Sequence, residues 1–368
     1  MMKMGKIYAL AVCLFPVIFS YGQDAHFSQF NEQPALINPA FTGIDNPVRI
    51  SAGFKDQWLG VTTPYRTYGI SAETRLKPGN WEQVDKFRGM TFKKRSVGRL
   101  AGGLSIYKDK AGDGSLERTQ ANLSIASFIQ TGSRSFISLG LQGSVAQQKL
   151  NNAALIFPDQ YNGNGYDPNM ASGETFGSQN FNYIDLGAGV LWSYNKNDRL
   201  ASSNRVKANI GFSAYHLNKP KQKYLFATKD ALSPKYVFYG DLLLRAHGSR
   251  VGFAPLCMVQ LQGAMREITG GMLIKYYTNS SGSKYTGITK SSCISYGAYY
   301  RYKDALILNA LLEWKEQYGV GLSYDINISK LSRASSGRGG LELMIRYTPP
   351  GAYLYQMKKA KNPQSKEN

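Results

Sequence analysis

The stretch that decides the fold is residues 319–329, GVGLSYDINIS, in which apolar and polar side chains alternate without a break. Val320, Leu322, Tyr324, Ile326 and Ile328 share one face, and Gly321, Ser323, Asp325, Asn327 and Ser329 share the other. Because successive side chains of a β-strand point to opposite faces, this period of two predicts a strand. One face of that strand meets an apolar environment and the other a polar one.

The same alternation recurs from about residue 47 to residue 348, and it predicts an all-β chain of about fourteen antiparallel strands. The predicted strands lie near 47–58, 66–77, 98–109, 116–131, 135–149, 181–196, 205–219, 235–247, 250–262, 265–277, 291–303, 305–315, 318–329 and 339–348. Stretches with a helical period of comparable quality are absent from the sequence.

The length of these segments favours a transmembrane β-barrel. Strands of soluble proteins usually have roughly 5–6 residues, whereas a tilted membrane strand needs about 9–11. The polar faces carry Gly, Ser, Asn and Gln, which suits a wet or plugged lumen. Aromatic residues near strand ends predict interfacial girdles, namely Tyr183 and Tyr194, Tyr299 and Tyr300, and Trp314 and Tyr318. The alternative is a large exported β-sandwich.

The composition of the 368-residue chain narrows its class. A mean hydropathy of −0.33 argues against a bundle of membrane helices, and 43% hydrophobic residues argue against disorder. The 44 Lys and Arg exceed the 24 Asp and Glu, giving a formal net charge of +20. Such a charge is typical of proteins that bind nucleic acid or meet an anionic membrane surface.

The first residues decide between these two partners, because residues 1–22 are predicted to be a signal peptide. Lys3 and Lys6 precede an apolar stretch, and small residues stand at 20 and 22, before Gln23. Cys13 lies inside the apolar stretch, where its neighbours do not fit a lipoprotein signal. Export makes nucleic acid an improbable partner and predicts outer-membrane lipid as one.

Cys257 and Cys293 are predicted to lie on strands separated by one other strand. That spacing, about 9–10 Å, is too wide for a disulfide. We therefore expect two free thiols.

The connections between strands predict the sidedness of the barrel. With both chain ends in the periplasm, the long connection at about 151–180 faces outward, and the tight one at 131–134 faces the periplasm. Two connections, 78–97 and 278–290, are long for periplasmic turns. Either they are functional loops or they conceal a further strand.

Residues 23–30, QDAHFSQF, are followed by Pro34 and by 36–43, LINPAFTG. This stretch resembles the N-terminal signature of the PorP/SprF family, outer-membrane proteins of the type IX secretion system of Bacteroidota. Further blocks are similar to that family: Trp58 with Pro64 and 68–71 YGIS, 108–114 KDKAGDG, 209–216 NIGFSAYH with 218–220, and 341–347 LELMIRY. The resemblance covers the chain from Gln23 to about Tyr347. Beyond it lies a basic tail, 349–368, where many outer-membrane barrels would already have ended on an aromatic residue.

The resemblance implies a non-enzymatic outer-membrane barrel that partners type IX secretion. Some members of the family associate with a periplasmic lipoprotein ring. Others support export or surface attachment of cargo that carries a C-terminal sorting domain, such as the adhesin used in gliding motility. A general porin or nutrient channel is the alternative from another class, and an adhesin anchor without a part in translocation is a second.

Residues 23–46 precede the barrel and are interrupted by proline, so they are predicted either to pack into the lumen as a plug or to hang below as a docking strand. Packing against the lumen or the periplasmic rim is the preferred hypothesis. The predicted contact residues are Asp24, His26, Gln29, Asn38 and Phe41.

The sequence offers two other candidate sites. The basic run that contains Lys93, Lys94 and Arg95 is either a solvated loop or a docking surface for an anionic partner. Asp159 and Asp167, in an Asn-Gly-rich loop, are weak candidates for calcium ligands. The sequence holds no nucleophile motif and no histidine pair at metal-ligand spacing, so we expect no enzyme, cofactor or metal.

Overall fold

The computed structural model describes most of the chain. The described residues are 27–44, 48–58, 63–77, 83–87, 90–94, 100–112, 114, 116–132, 134–151, 155–174, 180–197, 205–222, 231–246, 249–278, 292–329 and 337–349. Within them, no helix has the length and apolarity needed to cross a membrane. The signal-peptide prediction falls outside this part of the chain, as does the basic tail beyond residue 349.

Sixteen strands are present in the described residues. In chain order they are β1 Val48–Gln57, β2 Tyr65–Lys77, β3 Gln83–Phe87, β4 Met90–Lys94, β5 Leu100–Ala111, β6 Leu116–Gln130, β7 Ser135–Lys149, β8 Asn180–Asn197, β9 Arg205–Tyr215, β10 Lys235–Arg245, β11 Val251–Gln262, β12 Met265–Tyr277, β13 Cys293–Arg301, β14 Ala305–Trp314, β15 Tyr318–Asn327 and β16 Arg338–Tyr347. All except β3 and β4 form one closed antiparallel barrel. The predicted fold, a barrel of about fourteen strands, is therefore confirmed.

The barrel closes between its first and last strands. β1 runs antiparallel to β16, with Ile50 opposite Tyr347 and Gln57 opposite Gly340. Every other barrel strand pairs with its neighbours in the chain, apart from β2, which passes over the β3–β4 insertion to pair with β5. The sheet consequently has no free edge.

The connection at 78–97 contains two strands that the alternation pattern did not reveal. β3 and β4 form a separate two-stranded sheet, with Gln83 opposite Lys94 and Phe87 opposite Met90. This pair is inserted between β2 and β5 and leaves the number of barrel strands unchanged. The other long connection, 278–290, lies almost wholly outside the described residues.

The two faces of the wall are chemically distinct, as the alternation predicts. Large apolar side chains point outward and are exposed, among them Leu141 at 69% and Leu123 at 59%. Most side chains that point inward are small or polar and buried, including Ser138, Gln142 and Asn209, and some large apolar ones, such as Leu191 and Ile307, join them. An apolar band on the outside and a polar interior are what a barrel needs in a lipid bilayer.

The barrel has two rims, which we name by what they carry. The terminal rim carries the first residue of β1, the last residue of β16 and the β3–β4 hairpin. The loop rim carries the opposite ends of the strands, including the long connection between β7 and β8. The expected sidedness places the loop rim outside the cell and the terminal rim in the periplasm.

The cysteines lie where the strand order predicts. Cys257 is on β11 and exposed, Cys293 is on β13 and buried, and β12 lies between the two strands. Both thiols are free.

Candidate functional site

Residues 27–44, which we name the lumenal segment, cross the interior of the barrel. Their contacts extend around the wall, from β1 and β2 through β6, β8 and β9 to β13, β15 and β16. Phe27, Phe30, Ala40 and Phe41 are all less than 5% exposed. A segment that touches strands on all sides and is itself buried occupies the lumen.

The local sequence explains why this segment is compact and not a strand. Its backbone forms three short 3-10 turns, Phe30–Glu32, Pro34–Leu36 and Pro39–Phe41. Pro34 and Pro39 begin two of them, because proline has a fixed φ and needs no hydrogen bond at that position. The side chain of Asn38 caps the last turn by accepting a hydrogen bond from the Ala40 amide at 2.8 Å.

The first anchor of the lumenal segment is Ser28. Its amide donates to Glu342 Oε2 at 2.6 Å, and the next amide, that of Gln29, donates to Glu342 Oε1 at 2.8 Å. The Ser28 hydroxyl lies 3.1 Å from both carboxylate oxygens of Asp325 and accepts hydrogen bonds from Lys55 Nζ and Arg301 Nη2, each at 2.9 Å. One serine thus joins charged residues from four strands.

These four charged residues are buried, so their charges must balance one another. Lys55 Nζ lies 3.9 Å from carboxylate oxygens of both Asp325 and Glu342, and Arg301 Nη1 lies 3.2 Å from Asp325. Their side chains are between 1% and 4% exposed. An unpaired charge at such depth is strongly unfavourable. The cluster, with the Ser28 hydroxyl at its centre, therefore favours one position of the lumenal segment.

The second anchor is Asn38, on the other side of the lumen. Its Nδ2 donates to the backbone carbonyls of Val190 at 3.0 Å and Phe212 at 3.2 Å. The hydroxyl of Ser213 donates to the carbonyl of Ile37 at 2.6 Å. Side chains and backbone of the segment thereby bind directly to the walls of β8 and β9.

This close approach requires glycine on the facing strands. A Cβ at Gly140 of β7 would collide with the backbone of Pro39 and Ala40, and a Cβ at Gly189 of β8 would collide with Asn38 Oδ1. Residues without a side chain here let the backbone of the lumenal segment rest against the sheet.

The third anchor holds the end of the segment against β2 and β6. The Gly43 amide donates to Glu73 Oε2 at 2.7 Å, and Arg75 donates to the carbonyls of Gly43 and Ile44 at 2.6 and 2.7 Å. Thr42 Oγ1 donates to Ser124 Oγ at 3.0 Å. These charge-assisted bonds fix the chain as it leaves the lumen toward β1.

Aromatic packing joins the anchors. The rings of Phe30 and Phe41 both contact Tyr239, with centroids 6.0 and 5.2 Å apart and edge-to-face geometry. Phe30 also packs on Tyr299 at 5.9 Å. Tyr299 is only 1% exposed, so it faces the lumen, and its predicted place in the interfacial girdle is wrong. Apolar residues of the lumenal segment and inward side chains of the wall, such as Leu191 and Met258, form one apolar cluster between the polar anchors.

The lumenal segment separates two cavities. The one toward the loop rim is the smaller, and Phe27, Phe30, Thr67, Asn122, Tyr215 and Val237 are among its lining residues. The one toward the terminal rim is larger, and its lining includes Glu32, Phe41, Asp241, Lys275, Glu313 and Arg346. An ion-paired chain crosses the second cavity, because Arg346 contacts Glu32 at 2.8 Å and also Glu313, which in turn binds Lys275 at 3.1 Å.

Three of the predicted contact residues lie in the lumenal segment, at different points along it. Gln29, Asn38 and Phe41 are all buried in the lumenal segment. Asp24 and His26 lie outside the described residues. The charged partners Lys55, Arg301, Asp325 and Glu342 were not among the predicted site residues, although each is a charge at an inward position of an alternating strand, which is a detectable signal.

The remaining predicted residues belong in the sequence to connections between barrel strands. Lys93 and Lys94 belong to β4, of which only the backbone is described, and Arg95 falls outside the described residues. Asp159 and Asp167 lie in the loop between β7 and β8, where Asp167 Oδ1 accepts hydrogen bonds from the backbone and side chain of Asn169. In the described part of the chain, His, Cys, Asp and Glu form no group of three or more that could hold a metal ion.

The glycine contact gives a stability prediction. Gly140→Val places a side chain against the backbone of Pro39 and Ala40, so we expect the free energy of unfolding to fall by about 1–3 kcal/mol. Gly143→Val is the matched control, because a Cβ at Gly143 on the same strand meets nothing within 4 Å. Urea titration of both variants refolded into lipid vesicles measures the difference, and equal free energies would show that the segment does not rest on β7.

Solved structures similar to this chain are outer-membrane proteins of low sequence identity. CdiB from Acinetobacter baumannii is 6% identical, with a TM-score of 0.40 over 82% of this chain and 60% of that chain. The TodX deltaS2S3 mutant monoaromatic hydrocarbon channel is 10% identical, with a TM-score of 0.40 over 85% and 92%. The beta domain of the Bordetella autotransporter BrkA is 10% identical, with a TM-score of 0.37 over 82% and 98%.

The comparison with protein families is decisive. No curated protein matches the chain. The model of the family described as type IX secretion system membrane protein PorP/SprF matches residues 19–347, which include the lumenal segment and every strand of the barrel. The chain therefore belongs to the PorP/SprF family, and it is a secretion-associated β-barrel of the outer membrane.

Proposed function

We propose that this barrel is a non-enzymatic partner of type IX export that supports the export or the surface attachment of a cargo with a C-terminal sorting domain, such as an adhesin. The observation that carries the proposal is the lumenal segment, which is buried in the interior and held at three anchors. A barrel with an occupied lumen acts through its rims and its outer wall.

The same observation disfavours a general porin or nutrient channel. A porin keeps a continuous water-filled path between its two ends. Here the two cavities lie on opposite sides of a segment fixed by buried hydrogen bonds and ion pairs. Several inward charges bind the segment or pair beside it, as Lys55, Arg301 and Asp325 do at Ser28 and as Arg346 does with Glu32, which is the structural role expected of a plugged barrel.

We assign the partners to the two rims. The terminal rim carries the β3–β4 hairpin, whose second strand ends with Lys93 and Lys94, and Arg95 is the next residue in the sequence. With this rim in the periplasm, the basic residues are suited to an anionic surface of a periplasmic ring or lipoprotein component. The loop rim, with the long connection between β7 and β8, is then available to cargo at the cell surface.

The first test of the proposed function is a deletion strain. We expect sorting-domain proteins to be lost from the surface, and their amounts at the surface and in the periplasm can be compared with the parent strain by proteomics. Loss of one or a few identifies a dedicated cargo partner, and loss of all identifies a core export component. Cargo that accumulates in the periplasm excludes a pure anchor, and a surface proteome identical to that of the parent would refute the proposal.

Conductance tests the closed lumen. In planar bilayers we expect the purified barrel to conduct far less than a general porin, because the lumenal segment blocks the path. Removing residues 27–44 should open the path through the lumen. The shortened barrel should remain folded, since the charges of Lys55, Asp325 and Glu342 would then be hydrated and still paired. A wild-type barrel that conducts as well as the shortened one would support the channel alternative.

The docking role of the hairpin is tested by charge reversal. Replacing Lys93, Lys94 and Arg95 with Glu should weaken co-purification of periplasmic secretion components while leaving the barrel folded, since β4, which contains Lys93 and Lys94, is not a strand of the barrel. The same three-charge reversal at Lys219, Lys221 and Arg266, near the loop rim, is the control. Unchanged co-purification from the first variant, or equal loss from both, would contradict the docking role.

A further inference from the structure

A row of charged residues crosses four neighbouring strands on the outer wall near the loop rim. Arg66 of β2 lies opposite Lys110 of β5, which lies opposite Glu117 of β6, which lies opposite Lys149 of β7. The Arg66 and Lys110 side chains are 50% and 46% exposed, and Lys149 is also exposed. The strand register thus aligns these residues at one height of the barrel.

The height of this row coincides with the edge of the apolar band. The residues four positions further along each strand, toward the middle of the wall, also lie opposite one another. They are Ile70, Ile106, Ala121 and Val145. Between the two rows lie Tyr68 and Lys108, each about half exposed. Two residues of a strand span about 7 Å, so the charges lie where lipid tails give way to head groups.

The row has more positive than negative charge. Lys108 Nζ lies 2.9 Å and Lys110 Nζ 3.8 Å from the same carboxylate, that of Glu117. Arg66 Nε lies 3.3 Å from Asp56. With Lys149, four cations share two carboxylates. We name Arg66, Lys108, Lys110 and Lys149 the basic patch.

We propose that the basic patch binds the phosphorylated head group of a glycolipid in the outer leaflet of the membrane. The patch is continuous with the surface that contacts acyl chains, so a lipid bound by its tails to Ile70, Ile106 and Val145 presents its head group to the four cations. Cations clustered beside a membrane attract anionic head groups, and low water content at this depth strengthens the attraction. The site lies on the outside of the wall and is independent of the lumenal segment and of any cargo.

The far side of the barrel offers a control. Arg266 of β12 is exposed near the same rim, but β12 lies about half a turn from β5 and β6 in the strand order. Its cross-strand partner on β11 is Leu261, so it has no basic neighbour in that pairing. Arg266→Gln removes one exposed cation at the rim without touching the basic patch.

The experiment compares lipid retention by the purified full-length barrel in detergent, measured by native mass spectrometry. The probes are bisphosphorylated lipid A, its dephosphorylated form and phosphatidylglycerol. We expect the wild type to retain the phosphorylated glycolipid best, and Lys110→Gln with Lys149→Gln to weaken that retention on the order of tenfold. This pair of changes leaves the closest ion pair, between Lys108 and Glu117, in place.

Glu117→Gln should change lipid retention in the opposite direction. A gain in retention cannot result from a loss of folding. Removing this carboxylate increases the positive charge of the patch and should tighten retention of the phosphorylated glycolipid. Arg266→Gln should leave it unchanged. The proposal is overturned if the wild type and the double variant retain this lipid equally, if Arg266→Gln loses it as strongly, or if the dephosphorylated form binds as well. Equal retention of phosphatidylglycerol would likewise overturn the assignment to a glycolipid.

Discussion

Closure between β1 and β16 is the constraint on which the rest of the molecule depends. In the hydrocarbon of a bilayer, each backbone amide and carbonyl needs a partner within the protein, and a sheet satisfies this only when it has no edge. The seam that meets this condition here joins residues near the two ends of the barrel sequence, with Ile50 opposite Tyr347. The same pairing sets Lys55 opposite Glu342, and it thereby creates the charged cluster that receives Ser28.

The interior then follows from the chemistry of the inward faces. Glycine at 140 and 189 opens room for the backbone of the lumenal segment, while the carbonyls of Val190 and Phe212 accept hydrogen bonds from Asn38. The aromatic rings of the segment fill the centre. Polar anchors at the wall and an apolar cluster in the middle give a filled lumen.

Much of this fold can be predicted from the sequence, because alternation is a local signal. The strand around 319–329 shows its inner and outer faces without any knowledge of its neighbours, and the same is true of the other barrel strands. The β3–β4 hairpin has no such signal, since its short strands do not have to separate lipid from a lumen. The packing of Asn38 and Gln29 could be predicted only as a choice between plug and docking strand. The Ser28 cluster depends on the register across the closing seam, which no local pattern encodes.

The anchoring of Ser28 has a consequence for the order in which the barrel assembles. Ser28 and Glu342 are 314 residues apart, so the contact requires strands from both ends of the chain to be in place. Contacts between distant residues form late, because a long loop must close before they are gained. Ser28, near the start of the chain, therefore cannot make this contact until the last hairpin of the barrel has formed. Docking of Ser28 thus requires a closed barrel, and it distinguishes a complete barrel from one that still lacks its final strand.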